Sequence, residues 1–245
     1  MRPNIDINVD VGEGVNNEKQ LMPYVSSCNI ACGGHAGDLE TMQTVVKLAK
    51  QYRVKIGAHP SFPDKVNFGR QIMEISKARL FKSIREQINS LILVLRGENA
   101  RLQHIKPHGA LYNLAIIDAS IAAVIIEAIK SMSLPIKLYA PYNSVIAELA
   151  ANENIPVVFE AFADRNYNDD ITLVSRKESN AIISDSDEMF NHVYKMIKQQ
   201  KVKTITGAEV KMIANTFCVH GDNLNAVDLI KDLKEKLKQF NITIK

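Results

Sequence analysis

Short apolar runs alternate along this chain with longer stretches in which apolar residues recur every three to four positions. The short runs are 5–11, 27–32, 54–58, 103–107, 136–141, 156–160 and 216–220. They predict seven strands, mostly continuous in apolar residues as strands buried on both faces should be. The longer stretches predict helices, each with a plausible cap. Asp38 precedes Leu39, Met42, Val45, Val46 and Ala49; Ser76 precedes Leu80, Ile84, Ile88, Leu91 and Leu95; Asp118 precedes Ile121, Val124, Ile125 and Ile129. A fourth helix starts at Ser186 with Met189, Val193 and Met196, and a last one near Asn223 with Leu224, Val227, Ile230, Leu233 and Leu237. Asn143 to Ala151 is a weaker, shorter sixth. Alternating strands and helices imply parallel neighbours joined by right-handed crossovers. Seven such units predict an α/β fold of one domain, 1–245: a parallel β/α barrel, irregular or incompletely closed, with an open doubly wound sheet as the alternative. Ile171–Ser175 and Ala181–Ser184 break the alternation and predict a hairpin insert after the sixth strand.

The unusual polar residues fall just after the apolar runs. Asp10, Gly12 and Glu13 follow the first; Gly33, Gly34, His35 and Asp38 the second; His59 the third; Lys106, Pro107 and His108 the fourth; Glu160, Asp164 and Arg165 the sixth; His220, Gly221 and Asp222 the seventh. In parallel α/β folds the C-terminal strand ends carry the chemistry. This placement predicts an enzyme with one site at that end.

Composition narrows the class. A chain of 245 residues with 46% hydrophobic and 23% charged residues can bury a sizeable core. The net charge of +3 is small and dispersed, which argues against a nucleic-acid or membrane-surface partner. No apolar run approaches the roughly 20 residues of a membrane span, and the first strand already carries Asp6, Asn8 and Asp10. Three cysteines are most simply reduced thiols of a cytoplasmic protein, buried as small hydrophobes; Cys32 as a nucleophile near His35 is the sharper alternative.

Four of the six histidines, His35, His59, His108 and His220, follow strand ends, whereas His104 and His192 read as structural. With Asp10 and Glu13 the four can hold a divalent metal that activates water, or act without metal as acids and bases on a strained carbonyl. No HExxH or CxxC pair decides between them. Lys106, at the end of a buried strand, can neutralise an oxyanion or phosphate, or pair with Asp10 or Glu160. We expect Asp10 and His108 to serve as base or acid and Lys106 to steady negative charge. Glu13, His35, His59, Glu160, Asp164, Arg165 and His220 are expected to bind substrate. Glycine-rich turns at Gly12–Gly14 and Gly33–Gly37 are a weak anion cradle, and no phosphate-loop pattern is present.

Six motifs, IDINVDVGEG (5–14), NIACGGHAGD (29–38), IGAHPSFPD with FGR (56–64, 68–70), IKPHGALYN (105–113), EAFADRNY (160–167) and CVHGDN (218–223), run in order through the whole length. In these the chain resembles the LamB/YcsF family, the A subunits of bacterial ATP-dependent 5-oxoprolinase. The resemblance implies a seven-stranded β/α barrel of the glycoside hydrolase/deacetylase type. It implies opening of 5-oxo-L-proline to L-glutamate coupled to hydrolysis of ATP to ADP and phosphate, and partner subunits B and C. ATP is then a co-substrate that the partners can hold. The alternatives are a metal-dependent deacetylase-like hydrolase and a non-catalytic lactam-binding subunit. Gly34 and Ser61-Phe62 depart from the family pattern, which more often has an aromatic and Gly-Tyr there.

Overall fold

Strict alternation governs the first strand. In β1 (Asn4–Val11) the side chains of Asp6, Asn8 and Asp10 turn inward, and Ile5, Ile7, Val9 and Val11 turn out to the apolar core. The expectation of strands apolar on both faces is therefore corrected here: the barrel interior is a polar column. The computed structural model describes residues 3–221, 223 and 225–245. The expected Leu224 on the last helix and Asp222 after the last strand lie outside them.

β2 (Ser27–Ala31), β3 (Lys55–His59), β4 (Leu102–Ile105), β5 (Lys137–Pro141) and β6 (Val157–Phe162) each lie parallel to the strand before. β7 (Lys201–Lys203) and β8 (Glu209–Lys211) form an antiparallel ribbon in a separate small sheet, an addition to the expected strands. β9 (Thr216–Val219) closes the barrel: Thr216 is opposite Glu160 of β6 on one side and Asp6 of β1 on the other. Closure selects the seven-stranded barrel over the open sheet. The short β10 (Thr243–Ile244) pairs with the start of β1.

The helices are α1 (Glu18–Leu21), α2 (Leu39–Tyr52), α3 (Lys77–Gly97), α4 (Gly109–Ile117), α5 (Ala119–Lys130), α6 (Val145–Asn152), α7 (Ser186–Gln199) and α8 (Ala226–Gln239). Asp38, Ser76 and Asp118 cap α2, α3 and α5 as expected, their side chains accepting backbone N–H bonds from the first turn. α7 starts at Ser186 as expected, and Asp185 before it supplies the cap. Leu39 is exposed, because the buried stripe of α2 starts at Met42. α4 is an addition to the expected helices; Asp118 ends it and starts α5 at a bend of 115°. Among the described residues no single helix is long and apolar enough to cross a membrane.

The insert after β6 is not a hairpin of 171–175 with 181–184. Both segments flank the stretch behind β6, with Tyr167 bridging Leu173 and Arg165 bridging Ile182. The backbone of Asn166 bonds Ala181 on one side and Val174 on the other. The middle partner escapes prediction because Asp164 to Asn168 shows no apolar alternation.

The polar column is networked at its lower end, with His104 Nδ1 left without a hydrogen-bond partner. The Asp6 carboxylate accepts from Ser26 (2.7 Å), Ser27 (2.5 Å) and Thr216 (2.6 Å) and pairs with Lys55 at 3.2 Å. Above it, Asn8 donates to Glu160 (2.9 Å) and Thr216 (2.8 Å) and accepts from Asn29 (2.7 Å). His104 donates through Nε2 to the Asn29 carbonyl oxygen at 2.8 Å and stacks on Tyr139. Gly57 is required at this level, since a Cβ there would come within 2.1 Å of the His104 ring. Such groups can be buried only because nearly every lone pair and proton has a partner.

Candidate active site at the C-terminal mouth of the barrel

Lys106 follows β4 and reaches into the upper interior, where it is 2% exposed. Its Nζ lies 3.0 Å from Asp10 Oδ1, 2.9 Å from Glu160 Oε1 and 3.0 Å from Cys218 Sγ. Burial by itself favours the neutral amine, but the Asp10 and Glu160 carboxylates outweigh it and hold the lysine charged far above its ordinary range. Asp10 is the mirror case. Burial opposes its charge, yet His59 and Lys106 keep its carboxyl well below the usual carboxylate range. Glu160 also accepts from the Tyr112 hydroxyl of α4 at 2.7 Å.

Above this ion pair lie Glu13, His35, His59 and His108, with one donor atom from each, all within 4.8 Å of one another. His59 Nδ1 donates to the Lys106 carbonyl at 2.7 Å, and His108 Nε2 donates to the Phe68 carbonyl at 2.9 Å. The other two nitrogens, His59 Nε2 and His108 Nδ1, face each other at 3.0 Å. His35 lies parallel to His108 with ring centroids 3.6 Å apart and bonds Glu13 Oε1 through Nε2 at 2.9 Å. Burial, then the neighbouring His59 charge, pushes His35 down to about 3 and His108 to about 2, so both are neutral at physiological pH. Burial also works against charge on His59, but the Asp10 and Glu13 carboxylates outweigh it and raise its pKa.

The cluster is covered. Phe68 and Gly69 fold over the rings, and Phe68 meets both His35 and His108 edge-on. Gln87 of α3 holds this segment from behind, accepting from Ser61 N–H at 3.0 Å and donating to Ser61 O at 2.9 Å. Gly109 starts α4 at φ +57° directly against it, where a Cβ would come 2.6 Å from the Gly69 carbonyl oxygen. The departures at 34 and 61 are neighbours: a Cβ on Gly34 would lie 2.3 Å from both Ser61 Oγ and Gln87 Oε1, so these two side chains together leave no room for one.

Asp164 and His220 form a second pair at the rim. His220 bonds Asp164 through its backbone N–H (2.9 Å) and Nδ1 (3.0 Å), and its ring stacks on Phe162. Burial would raise the Asp164 pKa, but His220 outweighs it and lowers it. Two nitrogens of Arg165 bond the insert, Nε donating to Ala181 O and Nη2 to Val174 O, while its charge also helps to lower the Asp164 pKa. The structure thus brings Asp10, Glu13, His35, His59, Lys106, His108 and Glu160 into one cluster, puts Asp164 and His220 at its edge, and turns two Arg165 nitrogens away. Asn8, Asn29 and Tyr112, which orient the charged groups, and Gln87, which holds the cover, are absent from the site residues that the sequence pointed to; for Asn8 the signal was the strict alternation of IDINVD. The thiol of Cys32 is pushed up to about 12 by burial, which removes it as a thiolate nucleophile. At the strand C-termini a crevice of about 20 Å³ is lined by Tyr112, Glu160, Phe162 and the insert. A depression of about 260 Å³ lies at the opposite end, beside Asp6, Lys55, His104 and Lys137.

This architecture defines a closed β/α-barrel protein with its polar cluster at the strand C-termini. The chain belongs to the LamB/YcsF family, whose model matches residues 5–245. It is similar to the A subunit of 5-oxoprolinase from Bacillus cereus (strain 03BB102), 42% identical over 98% of this chain and 97% of that protein. The corresponding 5-oxoprolinase chain of Campylobacter jejuni subsp. jejuni (strain 81-176) is also 42% identical, over 98% and 96%. Among solved structures, a lactam utilization protein from Thermus thermophilus superposes with a TM-score of 0.92 at 34% identity over 99% of both chains. A family 4 carbohydrate esterase from Streptomyces lividans shares the fold alone, with a TM-score of 0.54 at 8% identity over 99% of this chain and 91% of that one.

Proposed function

We propose that this chain is the A subunit of a cytoplasmic 5-oxoprolinase and carries out the ring-opening half of its reaction. The whole-length likeness to proteins of that name supports the substrate. Partner subunits B and C are proposed to use ATP to phosphorylate the lactam carbonyl oxygen. Water then adds at the carbonyl carbon and the C–N bond breaks, the ring nitrogen taking a proton to become the amine of a glutamyl acyl phosphate, and a second water hydrolyses that acyl phosphate to glutamate and phosphate. Two waters are consumed in all, one for the amide and one for the ATP bond.

One observation carries the assignment: Lys106, its pKa raised, lies 3.0 Å from Asp10, its pKa lowered, in the buried interior of the barrel. A cation fixed there stabilises charge developing on the carbonyl oxygen or phosphate more strongly than in bulk water. Asp10, with its pKa lowered, is held as the carboxylate, the form that can accept a proton. His108, expected as acid or base, is held neutral and contributes a fixed lone pair rather than a proton. The Phe68–Gly69 cover must open to admit the lactam.

The test is a 5-oxoproline and ATP assay. This chain alone should hydrolyse ATP at background rate, and the three-subunit mixture should release phosphate and glutamate together. Substrate-stimulated ATPase activity in the isolated chain would overturn the division of labour, and absence of glutamate in the full mixture would overturn the function.

A further inference from the structure

We propose that Glu13, His59 and His108 form a site for one divalent transition-metal ion. The inference deepens the lactam-opening reading, on which it rests only for what the ion would do.

The argument is one of hydrogens. Backbone carbonyls only accept, so the nitrogens bonded to the Lys106 and Phe68 carbonyls must carry hydrogen. In neutral rings the opposite nitrogens then bear lone pairs, and these are the two that face each other at 3.0 Å. Two buried lone pairs aimed at one another repel unless a cation lies between them. Glu13 Oε1 faces the same point, 3.3 Å from His108 Nδ1 and 3.8 Å from His59 Nε2. A metal bound at about 2.0–2.2 Å to each atom spans separations up to roughly 4.2 Å, so all three pairs fit one ion. The two rings are inclined at 82°, so their lone-pair planes intersect. His35 is parallel to His108 and cannot share an in-plane ion with it; it instead steadies Glu13. Both ligand histidines have the carbonyl partner that fixes tautomer and raises ligand basicity. Two imidazoles and a carboxylate suit zinc, manganese, iron or cobalt rather than calcium or magnesium. Such an ion would supply Lewis acidity beside Lys106 and Asp10. A proton on His59 Nε2, donated to His108, is the competing occupant.

The full chain, without lactam or partners, should be stripped with a chelator and titrated with Zn2+ and with Co2+. We expect one equivalent per chain, a rise in Tm on adding zinc, and a visible cobalt absorption band. Glu13→Gln and His108→Gln should each weaken binding by more than the roughly 10- to 100-fold typical of an outer-shell loss. His192→Gln, on α7 outside the cluster, should leave binding unchanged. Should His108→Gln fail to fold, Glu13→Gln and the cobalt spectrum of the parent decide. Substoichiometric binding, undiminished binding in both variants, or a His59 imidazolium signal persisting in nitrogen-15 spectra at saturating zinc would each overturn the site. Because binding is read without turnover, stoichiometric zinc with no glutamate from the full mixture defeats only the lactam reading. Glutamate from a chain that binds no metal defeats only this one.

Discussion

Lys106 is where stability and chemistry meet in one side chain. Removing one partner of a buried ion pair typically destabilises by about 3–5 kcal/mol, because the other charge stays buried and unpaired. Lys106→Met removes the cation from Glu160 and leaves Asp10 with His59, at 3.4 Å, in place of two cations. Denaturant unfolding should show a loss of this size, and adding Asp10→Asn should recover part of it; additive losses would mean that the pair is not coupled. Activity should behave differently. Asp10→Asn, which removes the proton acceptor, Lys106→Ala, which removes the fixed cation, and His108→Ala, which removes the lone pair facing His59, should each lower glutamate formation by about 100-fold or more. For a lysine that meets only the activated intermediate, glutamate should fall further than phosphate release. Near-normal turnover in all three variants of the assembled complex would end the assignment.

At the scale of elements, the cover matters most. The 60–70 segment is held by Gln87 of α3, by the Ala110 N–H to Gly69 O bond at 2.9 Å and by the Phe68 carbonyl on His108. Gly109 permits that approach: it needs a positive φ and has no room for a Cβ. Gly109→Ala is expected to push the segment off the cluster. Proteolysis within 60–76 should quicken and glutamate formation should fall, while far-UV circular dichroism stays unchanged. Protection equal to the parent's would show that the contact does not hold the cover. None of this was legible in the chain, because a loop held by one glutamine and one glycine leaves no periodic signature.

Over the whole molecule, buried neutral histidines set the response to acid. Burial holds His104 down to about 3 and His192 to about 4, besides His35 at about 3 and His108 at about 2. Below the unfolded pKa of about 6.5, the unfolded chain takes up protons that the folded one refuses. Each such group therefore removes up to about 1.4 kcal/mol of stability per pH unit. His59 opposes them, since its raised pKa gives a contribution fully present below about 6.5 and lost as pH rises through the folded value. Asp6, Asp10 and Asp164, with lowered pKa values, hold their contribution above about 3.9 and lose it only at lower pH. Between pH 6.5 and 5 the His59 contribution is constant, so the four lowered histidines predict a steep fall in unfolding free energy over that interval. His192→Gln should make that slope shallower, and a flat profile over the interval would refute the account.

The chain by itself determined the seven strands, the main capped helices and the end of the barrel that carries the acids, bases and lysine. Those features depend on local periodicity and on residues that follow a strand, both of which are written along the sequence. Closure of the sheet was decided by β9, a four-residue strand pairing on both sides, and nothing in its own residues shows how many neighbours it has. The polar interior, the Lys106 partners, the bonds of Arg165 to the insert and the tautomers of His59 and His108 were likewise settled only in three dimensions. Each depends on atoms brought together from distant strands, as Lys106 and Asp10 are, 96 positions apart. A side chain's partners, and through them its charge and its proton, belong to that packing.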